Sequence, residues 1–227
     1  VSRRQFTSVE LFAGAGGLAL GMSQAGFSHL LLNEFDTDAC ATLRMNRPDW
    51  NIVQDDVHNV DFTGLQGQVD LLTGGFPCQA FSIAGYRKGF EDTRGTLFFD
   101  VAEIIRRKRP KAIFLENVKN LCSHDNGKTF EVIKNTLEEL GYIVYFKVMN
   151  AMEYANVPQN RERIFIVCFD LEQVHNHDTF TFPPAVELTK NIHECIDASE
   201  DNPRLFYGEK MGHYDELKQG IISKDTI

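Results

Sequence analysis

Short apolar runs alternate with stretches of helical periodicity over the first two thirds of the chain. The apolar runs predict strands at residues 6–12, 29–33, 51–54, 69–73, 112–116, 142–150 and 164–169. The stretches between them predict helices at residues 17–26, 36–46, 96–108 and 128–140. This alternation predicts an α/β protein with a Rossmann-like, mostly parallel sheet and helices on both faces. The last two strands lie close enough in sequence to form a terminal antiparallel pair.

Capping and helix-breaking residues indicate where the predicted helices begin and end. Asp36 is suited to be the N-cap of the second helix, and Gly26 is a plausible C-cap of the first. Pro48 and Pro110 stop the second and third helices, because proline cannot continue a helix. Gly141 lies just beyond the fourth helix. Each helix boundary is therefore expected to fall within a few residues of these positions.

The character of the sequence changes after about residue 170. Residues 170–201 contain eight acidic residues and one lysine, with two adjacent prolines at 183 and 184 and little periodicity. We therefore expect residues 1–170 to form one α/β domain and residues 171–227 to form an acidic linker or peripheral segment. The tail to residue 227 has no clear terminating element, and it reads as a chain that stops partway.

Charge and cysteine usage restrict the class of protein. The 227 residues have a formal net charge of −9, which taken alone argues against a nucleic-acid binder. No apolar run approaches the roughly 20 residues that span a bilayer, and no apolar signal core follows the first arginines. Five widely spaced cysteines without a CxxC pair indicate a reducing compartment. We therefore expect a cytoplasmic protein with no membrane segment, and we expect no metal site because the scattered histidines lack convergent partners.

A glycine-rich turn with the sequence FAGAGG at residues 12–17 lies between the first strand and the first helix. Glycines at such a turn permit tight backbone geometry and the close approach of a ligand. Gly14, Gly16 and Ala19 fit the dinucleotide fingerprint, and Glu34 follows Gly14 by twenty residues. We therefore expect a nucleotide or nucleoside site. The motif does not distinguish an NAD site from an S-adenosylmethionine site. A glycine turn with a purely structural role is a further alternative.

A loop shaped by glycine and proline carries Cys78. The segment GGFPCQAFS at residues 74–82 directly follows a predicted strand of the same sheet. Ligands of open α/β sheets bind at the carboxyl ends of the strands, so we expect Cys78 beside the glycine-rich turn. A lone Pro-Cys is more often structural than reactive, but this position favours a nucleophile.

Two further polar groups lie near predicted strand ends. Glu116 follows four apolar residues, so we expect partial desolvation that would let it act as an acid at neutral pH. A helix-capping or salt-bridged glutamate is equally compatible with this pattern. Arg161 and Arg163 stand two apart in an extended segment and can clamp a phosphate or orient a base carbonyl. A solvated charge run is the alternative.

Taken in order, the segments FAGAGG, GGFPCQAFS, ENV and QNRER resemble the motif series of cytosine-5 DNA methyltransferases. The resemblance is to small bacterial restriction-modification enzymes, and it covers roughly residues 5–170, including RGTL at residues 94–97. The combination is highly specific, and an NAD dehydrogenase would have no use for it. It implies an S-adenosylmethionine-dependent methyltransferase fold, with residues 1–170 as the cofactor-binding catalytic domain.

The resemblance implies a role for each matching residue in binding S-adenosylmethionine. Phe12 would stack on the adenine, Glu34 would bind the ribose hydroxyls, and Asp56 would read the adenine edge. The other implied cofactor-binding residues are Gly14, Ala15, Gly16, Gly17, Val57, Pro77 and Leu97.

The resemblance also implies the catalytic residues and the DNA contacts. Cys78 would add to C6 of a flipped cytosine, and Glu116 would contact N3 and the exocyclic amine. Arg161 and Arg163 would complete the pocket. The implied DNA-contacting loop residues are Gln79, Ser82, Arg87, Lys88 and Arg94.

Parts of the family pattern are absent before residue 227. The family places a target-recognition region next, then an arginine-containing helix and a Gly-Asn-Ser-Val-type segment. We therefore expect the catalytic half of the enzyme, acting on double-stranded DNA with a second polypeptide or a C-terminal segment that carries the recognition region. Residues 84–111 carry eight basic and four acidic residues, which fits a phosphate-contacting loop on an acidic body.

Three other functions stay open at this point. An RNA cytosine-5 methyltransferase would share the chemistry, and its distinguishing signature would lie mainly in the region that this chain lacks. A non-catalytic regulatory subunit could keep the fold, but the intact Cys78, Glu116 and Arg163 argue against it. An NAD oxidoreductase is favoured only by the glycine turn.

Overall fold

The structure is a computed structural model, and it describes residues 5–65, 69–77 and 97–195. Contacts divide the chain into two compact units. The first comprises Val1–Met149 and Glu162–Phe182, and the second comprises Asn150–Arg161 and Pro183–Ile227. The predicted functional division at residue 170 stays a prediction.

Strands and helices alternate along the described residues. The strands are β1 (Thr7–Leu11), β2 (Ser28–Glu34), β3 (Ile52–Gln54), β4 (Leu71–Gly74), β5 (Ala112–Val118), β6 (Tyr142–Asn150) and β7 (Glu162–Asp170). The helices are α1 (Gly17–Gln24), α2 (Thr37–Asn46), α3 (Leu97–Lys108), α4 (Lys128–Glu139) and α5 (Ala151–Tyr154). Short 3-10 helices occur at Val57–Asn59, Lys119–Cys122, His124–Gly127, His177–Thr179 and Ile192–Cys195. No helix among the described residues is long and apolar enough to cross a membrane.

The seven strands form one sheet in the order β3-β2-β1-β4-β5-β7-β6. Neighbouring strands from β3 to β5 pair in parallel, and β7 runs antiparallel to β5. The predicted α/β class, with a mostly parallel sheet and an antiparallel pair, is therefore confirmed. The strand order reverses at β1, which has β2 on one side and β4 on the other. Ligands of such sheets bind at the carboxyl ends of the strands beside this reversal.

The largest hydrophobic cluster joins the central strands to α3 and α4. Leu11, Leu72 and Ile113 are buried in the sheet, while Phe98 on α3 and Ile133 on α4 pack in the same cluster. A smaller cluster of Ala13, Ala19, Leu32 and Leu43 joins α1 and α2 to β2. The first two residues after β1, Phe12 and Ala13, pack with these clusters, which restricts their movement because protein interiors are tightly packed.

Helix ends follow the predicted capping residues closely. Asp36 is the N-cap of α2, and its side chain accepts a hydrogen bond of 2.8 Å from the Ala39 N–H. The prediction for α1 was off by one residue, because Ala25 is the C-cap and Gly26 follows it. Gly26 has a φ of 91°, a conformation that glycine adopts without a steric penalty.

Strand β5 is longer than predicted, and this changes the setting of Glu116. The sequence predicted that the strand would end at residue 116, but it continues to Val118. The extension forms because β7 pairs with it as far as Val118 opposite Arg163. Glu116 is therefore inside a paired strand rather than at its end, and Asn117 also belongs to the strand, which fixes the backbones of both residues.

The second unit is held by its own hydrogen bonds. Asn156 Oδ1 accepts from the Thr189 N–H at 2.8 Å, and the Val186 N–H donates to the Glu153 carbonyl at 2.6 Å. The described residues 183–195 are thus attached to the α5 region within this unit through Val186 and Thr189.

A buried carboxylate in β1 escaped sequence analysis. Glu10 is 1% exposed, and its Oε2 accepts a hydrogen bond of 3.0 Å from Oγ1 of Thr73, which lies directly opposite Glu10 on the adjacent strand β4. Burial raises the pKa of Glu10 from 4.5 to about 7, because removal from water penalises the charged form. Glu10 is therefore protonated over a pH range in which the same residue of the unfolded chain is ionised.

This difference predicts a pH-dependent stability. Between about pH 4.5 and 7 the folded chain holds a proton that the unfolded chain has lost, so stability falls as the pH rises through this window. The slope from this group is at most about 1.4 kcal/mol per pH unit. We expect Glu10→Gln to remove this component from the free energy of unfolding measured by urea denaturation at several pH values. The exposed Glu139→Gln variant is the control, and an unchanged slope in Glu10→Gln would refute the assignment.

Candidate active site

The turn after β1 has an unusual backbone. Phe12 has a φ of 56°, Gly14 a φ of 54° and Gly16 a φ of 88°, and α1 begins at Gly17. A positive φ is uncommon for an aromatic residue, and such strained residues cluster at functional sites. The turn therefore combines the glycine flexibility predicted from the sequence with a strained Phe12 that the sequence did not predict.

Gly16 is required by packing, and Gly17 is not. A Cβ at Gly16 would overlap Leu43 Cδ2 of α2, while a Cβ at Gly17 would meet nothing within 4 Å. Gly16 therefore lets α2 approach the turn closely, in addition to allowing the left-handed backbone.

These two neighbouring glycines give a matched pair of variants. We expect Gly16→Ala to lower the free energy of unfolding by about 1–3 kcal/mol, because of its positive φ and its overlap with Leu43. Gly17→Ala should leave it unchanged or raise it by up to about 1 kcal/mol, since Ala favours a helix. Thermal or urea denaturation measures both. Equal effects from the two substitutions would contradict this account of the turn.

Glu34 at the end of β2 ties the glycine turn to the start of α2. Its Oε2 accepts a hydrogen bond of 2.6 Å from the Gly14 N–H. Its Oε1 accepts from the N–H groups of Phe35 and Asp36, both at 2.8 Å. A carboxylate has about four acceptor positions, so Glu34 can hold the turn and still accept hydrogen bonds from a ligand.

The segment after β3 carries two aspartates beside Glu34. Asn33 is 1% exposed, and its Nδ2 donates to the Asp55 carbonyl at 2.8 Å. Asp56 is the N-cap of the Val57–Asn59 helix, and its Oδ1 accepts from the His58 N–H at 3.0 Å. This hydrogen bond lowers the pKa of Asp56, because it stabilises the charged form. The carboxylate of Asp56 is therefore held in an ionised state at neutral pH.

One cavity lies where these segments meet, and its volume is about 390 Å³. It is lined by Phe12, Asn33, Glu34, Phe35, Asp55, Asp56, Val57, Gly75, Pro77 and Leu97. Six of the residues named as cofactor-binding from the sequence are therefore together around a single cavity. Gly14 contacts this lining through Glu34, while Ala15, Gly16 and Gly17 continue the turn into α1.

Four residues of the lining were missed by sequence analysis. Asn33, Phe35 and Asp55 are adjacent in sequence to named residues, and Gly75 lies two residues before the named Pro77. Phe35 is 72% exposed although it is aromatic and follows Glu34 directly. An aromatic residue next to a candidate ribose-binding carboxylate is a signal that could have identified it.

The loop after β4 is held to β5 by Asn117. Asn117 is 3% exposed, its Nδ2 donates to the Phe76 carbonyl at 2.7 Å, and its Oδ1 accepts from the Val118 N–H at 2.8 Å. Phe76 is followed by Pro77, which lines the cavity. The middle residue of the Glu-Asn-Val motif thus fixes the backbone that leads to Cys78.

Glu116 borders the cavity and pairs with Arg163. Arg163 Nε lies 3.0 Å from Glu116 Oε1, and both side chains are about one quarter exposed. A Cβ at Gly75 would lie 3.4 Å from Glu116 Oε2, so this oxygen is close to the cavity lining. The salt-bridged interpretation of Glu116 left open by the sequence is therefore observed, and Oε2 lies close to Gly75 of the cavity lining.

The remaining predicted residues belong to the second unit or lie outside the described residues. Arg161 belongs to the second unit, where its N–H donates to Asn150 Oδ1 at 3.1 Å. The predicted nucleophile Cys78 and the predicted DNA-contacting residues lie outside the described residues; the latter are Gln79, Ser82, Arg87, Lys88 and Arg94. Among the residues that are described, no group of three His, Cys, Asp or Glu could hold a metal ion.

The chain was compared with protein families and with individual proteins. The family model described as C-5 cytosine-specific DNA methylase matches residues 6–226. The type II methyltransferase M.PspPI of Psychrobacter is 57% identical over 72% of this chain and 39% of its own length. The type II methyltransferase M.HhaI of Haemophilus parahaemolyticus is 45% identical over 83% of this chain and 56% of its own length.

A solved structure agrees in fold. A DNMT2 mutant of Spodoptera frugiperda matches with a TM-score of 0.66 and 18% identity, covering 86% of this chain and 61% of that protein. At this identity the likeness concerns the fold alone. The chain thus spans between about two fifths and three fifths of the length of the proteins it matches here.

Proposed function

This chain belongs to the family of C-5 cytosine-specific DNA methylases, and on that basis we propose that it transfers a methyl group from S-adenosylmethionine to C5 of cytosine in double-stranded DNA, in a bacterial restriction-modification system. The observation that carries the proposal is the cavity at the carboxyl ends of β1, β2 and β4, with Glu116 at its border. The proposed catalytic acid would thus act beside the proposed cofactor site.

The charge of the cavity favours S-adenosylmethionine over NAD. Three carboxylates, those of Glu34, Asp55 and Asp56, line it, and its described lining contains no Lys or Arg. The diphosphate of NAD would face these carboxylates without a cation, whereas the sulfonium of S-adenosylmethionine is positively charged. A volume of about 390 Å³ also lies within the usual range for small-molecule sites.

The lining offers a partner for each part of the adenosine. Phe12 presents an aromatic ring, and the strained φ of 56° is consistent with a residue held in place for binding. Glu34 can accept hydrogen bonds from the ribose hydroxyls, and Asp56 can accept one from the exocyclic amine of adenine. When bound, the cofactor supplies an electrophilic methyl group.

The chemistry of cytosine explains the catalytic residues. C5 is a weak nucleophile, so we propose that the Cys78 thiolate adds to C6 and pushes electron density toward C5. Glu116 donates a proton or a hydrogen bond to N3 and stabilises the developing charge. After C5 has taken the methyl group, its proton passes to solvent, the electron pair left behind restores the C5–C6 double bond and expels the thiolate, and N3 returns its proton to Glu116. A base inside the duplex cannot reach these groups, so the cytosine must flip out.

The Glu116–Arg163 pair assigns different tasks to the two carboxylate oxygens. Oε1 contacts the Arg163 guanidinium, which orients the carboxyl group, and Arg163 in turn donates from Nη1 to the Glu162 carbonyl at 2.9 Å. Oε2 is the oxygen near Gly75 and the cavity. We therefore assign the proton-donating role to Oε2.

We propose that this chain contacts the DNA phosphates and that a second polypeptide or further segment recognises the base sequence. Arg87, Lys88 and Arg94 follow Cys78 in the sequence and supply positive charge for phosphates. Reading a base sequence requires groups that reach base edges in a groove. About half or more of the length of some relatives lies outside the matched region, and a second polypeptide or further segment of that kind is proposed to supply the recognition.

Cofactor binding tests the proposal without requiring catalysis. We expect S-adenosylmethionine to bind the 227-residue chain in a calorimetric titration and NAD to give no signal. Phe12→Ala should weaken S-adenosylmethionine binding by about tenfold, because a stacked aromatic contact contributes about 1–1.5 kcal/mol. Phe6→Ala is the matched control, since Phe6 is 52% exposed and packs against Phe27. Tight NAD binding, or equal effects of the two substitutions, would contradict the cofactor assignment.

A further inference from the structure

His58 lies between two carboxylates that belong to different segments of the first unit. Its Nδ1 is 2.5 Å from Asp56 Oδ1, and its Nε2 is 3.0 Å from Asp100 Oδ2 on α3. Asp56 lines the cofactor cavity, and so does Leu97, the first residue of α3. The imidazole ring therefore bridges two walls of the cavity.

We propose that His58 is a positioning residue for the cofactor, and that its imidazolium form holds Asp56 against α3 in the orientation that binds adenine. The inference rests on the proposed function, because it concerns the same cavity. His58 does not line that cavity, so its effect must pass through Asp56.

While Asp56 and Asp100 are both ionised, only the protonated ring can donate a hydrogen bond to each of them. A neutral imidazole has one N–H donor and one lone pair, so one of its nitrogens would face a carboxylate oxygen without a hydrogen. The imidazolium has two donors and matches Asp56 and Asp100 together. Loss of the proton therefore breaks one side of the bridge.

The position of Asp56 depends directly on this bridge. Its Oδ1 accepts from both the backbone N–H and the ring of His58. Its Oδ2 receives no hydrogen bond among the described residues and can face a ligand. When the ring contact is lost, only the backbone contact remains to orient the carboxylate.

Other charged groups near His58 come from α3 and from the segment after residue 59. A neighbouring cavity of about 500 Å³ is lined by His58 together with Asp61, Asp100, Glu103, Arg107 and Lys108. Glu103 pairs with Arg106 and Arg107, which leaves Asp56 and Asp100 as the groups in direct contact with the ring. The hydrogen bond to Asp56 raises the pKa of His58 above its usual 6.5, which favours the imidazolium form that the bridge requires.

The size of the effect is limited by solvent. The His58 side chain is 51% exposed, and ion pairs in contact with water contribute little. We therefore expect the dissociation constant of S-adenosylmethionine to rise by roughly fivefold as the pH increases from 6 to 9.

The test compares S-adenosylmethionine binding by the 227-residue chain and its variants between pH 6 and 9. His58→Gln should bind more weakly at pH 6 and should lack the inflection assigned to His58. Asp100→Asn should move the inflection to lower pH, because the charge of Asp100 favours the imidazolium. His175→Gln is the control, since His175 is exposed. The amino group of the cofactor titrates equally in every sample, so differences between variants isolate His58.

Each outcome decides one hypothesis. If the wild-type chain binds S-adenosylmethionine and His58→Gln shows the same pH profile, the role of His58 is refuted while the proposed function stands. If the wild-type chain does not bind S-adenosylmethionine at any pH, the cofactor assignment fails, and the inference fails with it. A flattened profile in His58→Gln, with an unchanged profile in His175→Gln, would support the inference.

Discussion

Cys78→Ala is expected to abolish methyl transfer, with a loss on the order of 10⁴-fold or more, because the proposed reaction requires a thiolate to add to C6. Cofactor binding should persist, since the contacts proposed for the cofactor are made by Phe12, Glu34 and Asp56 of the described lining. The assay is transfer of labelled methyl from S-adenosylmethionine to DNA, with a recognition polypeptide supplied. Thermal denaturation of both proteins shows whether the fold is retained.

Cys122→Ala provides the matched control for this prediction. Burial raises the pKa of the Cys122 thiol, so it remains protonated and is a poor nucleophile. Its removal should leave transfer within a few-fold of the wild-type rate. Near-normal transfer by Cys78→Ala would overturn the nucleophile assignment and with it the covalent step.

Glu116→Gln is expected to slow transfer by on the order of 10²-fold or more while cofactor affinity stays within a few-fold. Gln has the shape of Glu and can donate a hydrogen bond, but it cannot deliver a proton to N3. The substitution also removes the ion pair with Arg163, and this ion pair orients the side chain of residue 116. Single-turnover rates and calorimetric titration of S-adenosylmethionine separate the two effects.

Glu162→Gln is the control, because Glu162 also pairs with a cation, Lys119, at 2.8 Å. Glu162 is the neighbour of Arg163 in β7, but its cationic partner is Lys119 and not Arg163. A similar loss from both substitutions would indicate a structural effect on the β5–β7 pair. A Glu116→Gln defect confined to S-adenosylmethionine binding would show that Glu116 serves the cofactor.

Local patterns were sufficient to predict the sheet and the first part of the site. The apolar runs, the glycine turn and the twenty-residue spacing from Gly14 to Glu34 are all short-range features. The hydrogen bond from the Gly14 N–H to Glu34 shows why that spacing matters, since it brings the ends of β1 and β2 together. Such features can be read from the sequence because each depends on only one or two adjacent elements.

Features that depend on distant partners could not be predicted in this way. The extension of β5 to Val118 arises from pairing with β7, some fifty residues later in the chain. The hydrogen bonds from Thr73 to Glu10 and from Asn117 to the Phe76 carbonyl each join residues more than forty positions apart. Hydrophobic periodicity carries no information about which polar partners meet across such separations.

The acidic charge of the chain also has a local explanation. A net charge of −9 argued against nucleic-acid binding when considered alone. Three carboxylates are placed around the cavity proposed for a cationic cofactor, and the basic residues Arg87, Lys88 and Arg94 are concentrated after Cys78. The distribution of charge is therefore more informative here than its sum.

Identification of the methylated base tests the central claim most directly. The 227-residue chain would be incubated with DNA and methyl-labelled S-adenosylmethionine, alone and together with the part of M.PspPI outside the 164 matched residues, and the DNA would then be digested to nucleosides. We predict label in 5-methylcytosine when both polypeptides are present. Label in N4-methylcytosine or N6-methyladenine would contradict the proposed chemistry, and sequence-specific methylation by the 227 residues alone would contradict the proposed division of labour.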